Sequence, residues 1–166
     1  MGLLFAAIGG TITALVEASI VPHLSVGGAE PHPVLLGAAI LAIVIGVERG
    51  IVWAFVGGLV LDSLLGRPLG GTAFAGVAAV GAAAISAGLF PRLRVIAPVV
   101  VIPVVSVLYS VVLFGTTAAL QPGGAFPDPV ATSMPDALYD ALIGIFVGPL
   151  AVTLHDRRTL GERAEW

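Results

Sequence analysis

The stretch ERGIVWAFVGGLVLDSLLGRPLG, Glu48–Gly70, decides how this chain is read. From Ile51 to Leu65 it is apolar and rich in glycine, it carries Asp62 near the end of that run, and it breaks at Gly66-Arg67-Pro68-Leu69-Gly70. Such a run suits the core of a soluble domain or the interior of a membrane, and composition separates the two. Of 166 residues, 58% are hydrophobic and 10% charged, with a mean hydropathy of +1.09. A soluble domain carries roughly 25% charged residues. Too few charges remain here to coat a water-facing surface, so the solvent for most of the chain is lipid.

A segment that crosses lipid satisfies its backbone hydrogen bonds internally, as a helix or in a closed barrel. Barrel strands alternate apolar with polar residues over about ten positions. Stretches such as VLLGAAILAIVIGV (34–47) are continuous, so the fold class is an all-α polytopic membrane protein. Proline, glycine and charge divide it into six transmembrane helical segments, near 3–21, 33–47, 51–65, 72–90, 95–120 and 137–154, in a single integral membrane domain spanning 1–166. The N-terminal run lacks the basic region of a secretory signal and reads as a retained first helix. The second and third segments are short. About 15 residues at 1.5 Å each reach about 22 Å, against a hydrocarbon core of about 30 Å. They are two thin spans or a hairpin that does not fully cross, and either arrangement returns the chain to the face it left.

All seven basic residues are arginine. With both termini cytoplasmic, Arg49, Arg92, Arg94, Arg157, Arg158 and Arg163 lie inside and Arg67 outside, as the positive-inside rule favours. The loops near 22–33, 66–71 and 121–135 then face outward. Pro98 and Pro103 are expected to bend the fifth segment. In the sixth, Gly144 and Gly148 have the GxxxG spacing that admits a close neighbouring helix, and Gly57-Gly58 offers a similar face in the third.

Three acids fall within these spans or at their edges: Glu17, Asp62 and Asp140. An ionised acid at a helix centre costs roughly 2.5–3.5 kcal/mol on insertion scales. Three readings stand beside one another. The acids reach the outer headgroups without partners. Alternatively, Asp62 holds the outer turn, accepting backbone N–H groups around Gly66–Gly70 or pairing with Arg67. In the third reading they form a proton or cation path, against which stands the lack of basic or histidine partners inside the spans. His23, His32 and Glu30 share the first outer loop, where exposed histidines are far commoner than metal ligands, so no metal is assigned.

With no cysteine, disulfides and thiolate sites are excluded. At net charge −3 the chain lacks the basic patch of a nucleic-acid binder. It has no G-x-S-x-G, no H-E-x-x-H and no phosphate loop. Ser106, Ser110 and Tyr109 lack an ionisable neighbour in sequence, and Ser106/Ser110 read as a small-residue contact face.

The opening stretch resembles the central signature of the rod shape-determining MreD family. There an acid–glycine pair opens a helix, followed by G-F-x-x-G-L-x-x-D, a short break and P-L-G. Glu48, Gly50, Phe55, Gly58, Leu59, Asp62, Pro68, Leu69 and Gly70 fit, with Arg49 between acid and glycine, and Ala54 where the family often has glycine. ALVEASIVPHLSVGGAEPHPVLL (14–36) is similar to the family's first helix, its leucine-proline turn and its entry to helix two. Glu17 stands where glutamine is usual and His32 where aspartate is usual. ALYDALIGIFVGPLAV (137–152) resembles the last helix, with Asp140 in place of an asparagine.

The resemblance implies a bacterial inner-membrane scaffold without catalytic activity or cofactor. It would work with MreC, the actin-like MreB, the glycosyltransferase RodA and a class B penicillin-binding transpeptidase in wall elongation. It also implies a helical arrangement similar to the substrate-binding subunits of energy-coupling-factor transporters, which supplies an alternative: a membrane subunit that binds a small, vitamin-type molecule. Such a site needs converging polar side chains, whereas these spans carry mostly Ala, Val, Leu, Ile and Gly. Scaffolding is therefore favoured. Asp62, Arg67, Pro68 and Gly70 are expected to fix the outer turn, and Gly57, Gly58, Gly144 and Gly148 to offer shallow faces to an MreC-like single-span partner in the bilayer.

Overall fold

A computed structural model describes residues 1–25, 29–89, 97–120 and 129–164. These form six α-helices: α1 (Gly2–Ile20), α2 (Pro33–Val44), α3 (Val47–Leu65), α4 (Gly71–Leu89), α5 (Ala97–Leu120) and α6 (Pro129–Ala164), with a 3₁₀ turn, Val21–His23, after α1. Among the described residues, four helical stretches are long and apolar enough to cross a membrane: Gly2–His23, Gly71–Gly88, Pro98–Leu120 and Met134–His155. The other two helices fall short for different reasons. α2 has 12 residues, about 18 Å at 1.5 Å each. α3 has the length, but it includes Glu48, Arg49 and Asp62.

Several boundaries differ from those read in the sequence. Glu48-Arg49-Gly50 is not a break between helices but the first turn of α3. The break lies at Ile45-Gly46, where Gly46 takes φ 151°, a conformation that favours glycine. Glu48 then sits beside the positive end of the helix dipole. Gly50 packs against α2 so closely that a Cβ there would lie 2.6 Å from Ala42 Cβ. Pro103 lies in the interior of α5, where a proline removes one helical hydrogen bond. α6 runs well beyond 137–154. Its 36 residues extend about 54 Å at 1.5 Å each, and it includes both Pro135 and the charged residues after His155.

α2 is the hub. Leu35, Ala39 and Ile43 pack on Ala75, Ala79 and Ala83 of α4 and on Val101, Val105 and Tyr109 of α5. Leu36, Ile40 and Val44 meet Ile102 of α5 and Val152 of α6. Ala38 and Ala42 meet Ala54 of α3 and Val80 of α4. Val34 closes against Ala14 of α1 and Leu61 of α3. A helix that is apolar all round belongs inside such a bundle. Because lipid is as apolar as leucine, close van der Waals packing, rather than escape from water, holds these surfaces together.

Candidate functional site

The first N–H groups of a helix have no intrahelical partner, and inside a membrane each one left unsatisfied costs several kcal/mol. α2 and α4 both begin within the bundle, and both are served by carboxylates from other helices. At α2, Pro33 removes one donor. The Val34 N–H donates to Glu17 Oε2 of α1 at 2.8 Å. The His32 N–H donates to Asp140 Oδ1 of α6 at 2.9 Å. At α4, the Gly70 N–H donates to Asp62 Oδ2 of α3 at 2.8 Å, and the Thr72 N–H lies 3.2 Å from both oxygens of Asp62. Glu17, Asp62 and Asp140 are all buried. They are not unpartnered acids at the headgroups. Each satisfies the start of a neighbouring helix, where the dipole also favours negative charge.

Asp62 shapes the turn after α3 through both its backbone and its side chain. Gly66 adopts φ 63° and closes α3, its N–H donating to Asp62 O. The Arg67 N–H reaches the same carbonyl at 2.9 Å, the longer bond of a Schellman cap. Pro68 O then accepts the Gly71 N–H at 3.3 Å. The Arg67 side chain is exposed and forms no ion pair with Asp62. Asp62→Asn is therefore expected to retain much of the fold, since an amide oxygen still accepts. Asp62→Leu is expected to cost about 1–3 kcal/mol for each donor left unpaired. Thermal unfolding in lipid nanodiscs measures both, and equal stability of the two variants would abandon this role for the carboxylate.

Around Asp140 the polar groups converge. His32 Nδ1 lies 3.0 Å from Asp140 Oδ2, forming an ion pair when the ring is protonated. The Ser106 hydroxyl of α5 donates to the same oxygen at 2.5 Å. The His32 ring meets Tyr109 edge-on, with centroids 5.2 Å apart. Nearby, the Glu30 N–H donates to Asp136 Oδ1 at 2.8 Å, and the Tyr139 hydroxyl donates to Leu24 O at 3.3 Å, so α6 holds the loop that leads into α2. Burial works against charge on His32, but the hydrogen bond and negative charge of Asp140, helped by Glu17, outweigh it and raise its pKa to about 9. In a nucleophilic relay histidine stands between acid and hydroxyl. Here the carboxylate stands between His32 and Ser106, so His32 is not placed to take the Ser106 proton. The partner of Ser106 is 34 residues away on another helix, and nothing in the linear sequence pointed to it. No metal-binding group of three His, Cys, Asp or Glu side chains occurs among the described residues.

The four glycines offered to a partner are covered by the chain itself. A Cβ on Gly57 would lie 2.9 Å from Gly10 O of α1, and one on Gly58 would lie 2.5 Å from Ala73 Cα of α4. On α6, a Cβ on Gly144 would meet Ile102 Cδ1 at 2.8 Å, and one on Gly148 would meet Pro98 Cβ at 2.5 Å, both on α5. A partner helix cannot reach these faces without displacing α1, α4 or α5. They are contacts within the bundle.

The fold and its polar interior define an all-helical membrane protein whose buried acids cap helices. The chain belongs to the MreD family: the family model of rod shape-determining protein MreD matches residues 2–154. No curated protein and no solved structure matches it. Membership gives it a role in rod shape determination. Glu17, His32 and Asp140 meet at the start of α2.

Proposed function

We propose that the chain is a non-catalytic scaffold of the wall-elongation machinery in the bacterial inner membrane, with six helical segments and both termini cytoplasmic. It links an MreC-like single-span protein to MreB, RodA and a class B penicillin-binding transpeptidase. The observation that carries this reading is the use of the membrane acids. All three are bound to backbone amides of neighbouring helices, so they serve architecture rather than ligand binding or proton movement. Arginine asymmetry supports the orientation.

Two measurements test it together. In this cysteine-free chain, the exposed Ser25 and Glu48 are replaced singly by cysteine. Ser25→Cys is expected to react with a membrane-impermeant maleimide in cells whose outer barrier is permeabilised, and Glu48→Cys only after the inner membrane is opened. In the same membranes, the tagged chain is expected to co-purify with the MreC-like protein. Labelling of Glu48→Cys from outside refutes the orientation. Recovery of an energy-coupling ATPase module without an MreC-like protein decides for a transporter subunit.

A further inference from the structure

Among the described residues, two buried side-chain polar atoms make no hydrogen bond: Trp53 Nε1 and Thr72 Oγ1. Thr72 is the more demanding of the two, because the residue is 1% exposed and its backbone N–H is already taken by the Asp62 cap. Inside a membrane an unpaired hydroxyl has no water to turn to. Other helical hydroxyls of this chain solve the problem locally. Thr11, Ser63, Ser86, Ser110 and Thr117 each donate to the carbonyl four residues back. Thr72 cannot, because it is the second residue of α4 and no helical turn precedes it. Its partner has to come from another helix.

The group that approaches it is the Tyr109 hydroxyl of α5. Thr72 stands one turn before Ala75, on the α4 face that shares a core cluster with Tyr109. Tyr109 is itself buried, and its ring meets His32 edge-on. Ser106 lies one turn earlier on the same face of α5 and donates to Asp140. α5 thus brings one hydroxyl to each capped helix start, Ser106 to that of α2 and Tyr109 to that of α4.

We infer that the Tyr109 hydroxyl donates to Thr72 Oγ1 and joins the caps of α2 and α4 into one polar network. The contacts then run from Glu17 and Asp140 through His32 and Tyr109 to Thr72 and Asp62. All six helices enter the network, α2 through the Val34 N–H. One side chain carries the link, since the Tyr109 ring holds His32 while its hydroxyl holds Thr72. In surroundings of low dielectric such chains of hydrogen bonds reinforce one another. The consequence is that losing this bond loosens both helix starts, not that of α4 alone.

The test uses the full chain in lipid nanodiscs, with no partner present. Thr72→Val keeps the shape of the side chain and removes its hydroxyl. Tyr109→Phe keeps the ring against His32 and removes the other hydroxyl. Each is expected to lower the melting temperature by about 2–4 °C, and the double variant by no more than the larger single loss. Melting of Thr72→Val at or above the wild-type temperature overturns the bond, because removing an unpaired buried hydroxyl does not destabilise. Additive losses overturn it as well. Amide hydrogen exchange in Tyr109→Phe reads the joining of the caps. The Gly70, Thr72 and Val34 amides are all expected to exchange about tenfold faster than in the wild type. Unchanged exchange at Val34 overturns the shared network. If Tyr109→Phe fails to accumulate, Thr72→Val is read at the same three amides, and the same outcomes decide.

Discussion

His32→Asp is expected to destabilise the bundle severely, and adding Asp140→Asn is expected to recover most of the loss. In the wild-type chain, Asp140 is fully buried and His32 Nδ1 is 3.0 Å from its carboxylate. His32→Asp removes that cation and places a second carboxylate against the first, with the Glu17 carboxylate acting on both positions. Breaking a buried pair in this way costs about 3–5 kcal/mol. Asp140→Asn in the same chain restores complementarity. The carboxamide oxygen still accepts the backbone N–H of residue 32, and its NH₂ group donates to the new carboxylate. Neighbouring substitutions of this kind couple by about 0.5–3 kcal/mol, so the cycle, measured by thermal unfolding in nanodiscs, is expected to be strongly non-additive. Additive losses would show that the two residues do not act as a pair.

The same pair gives stability a defined dependence on pH. His32 has a folded pKa raised from 6.5 to about 9. Its contribution is therefore fully present below pH 6.5 and is lost as pH rises through 9. Asp140→Asn is expected to flatten that alkaline limb, because the carboxamide pairs with a neutral ring.

How much of this could be read from the sequence depended on whether the signal was local. The continuous apolar runs identified lipid as the solvent and helices as the elements. Asp62 and the turn it organises lie within ten residues of each other, so Gly70 was within reach of inspection. The ends of α2 and α3 were misplaced because Glu48-Arg49 looks like a boundary, whereas the chain breaks at Gly46, whose φ does not show in the sequence. Glu17, His32, Ser106 and Asp140 were invisible as a cluster. They come from α1, the loop before α2, α5 and α6, and only packing brings them together. The resemblance had marked three of them separately as departures. The structure makes those departures one site.

The glycines show the same limit, and they yield the sharpest contrast for experiment. Spacing suggested close approach at Gly58 and Gly148 but did not say to what. Gly58→Ala is expected to be among the most disruptive single-methyl changes in the chain. Its Cβ would lie 2.5 Å from Ala73 Cα and 2.6 Å from Ala73 N. These are backbone atoms, and α4 is held there by the bond from Thr72 to Asp62. Gly148→Ala meets Pro98 Cβ at 2.5 Å, on a rigid ring. Overpacking of this kind costs about 1–3 kcal/mol and sometimes more. Gly76→Ala is gentler, because its nearest neighbour would be Ala54 Cβ at 3.3 Å. Gly81→Ala has no heavy atom within 4 Å, so it is expected to gain some of the roughly 1 kcal/mol by which alanine exceeds glycine in a helix. The predicted order of stability is Gly81→Ala, then Gly76→Ala, then Gly148→Ala and Gly58→Ala, read as melting temperature in nanodiscs without any partner. The absence of a partner is what gives the series its force. If Gly58→Ala melts like the wild type and loses only its association with the MreC-like protein, then the contact between α3 and α4 is not what that glycine serves, and the partner-facing role returns.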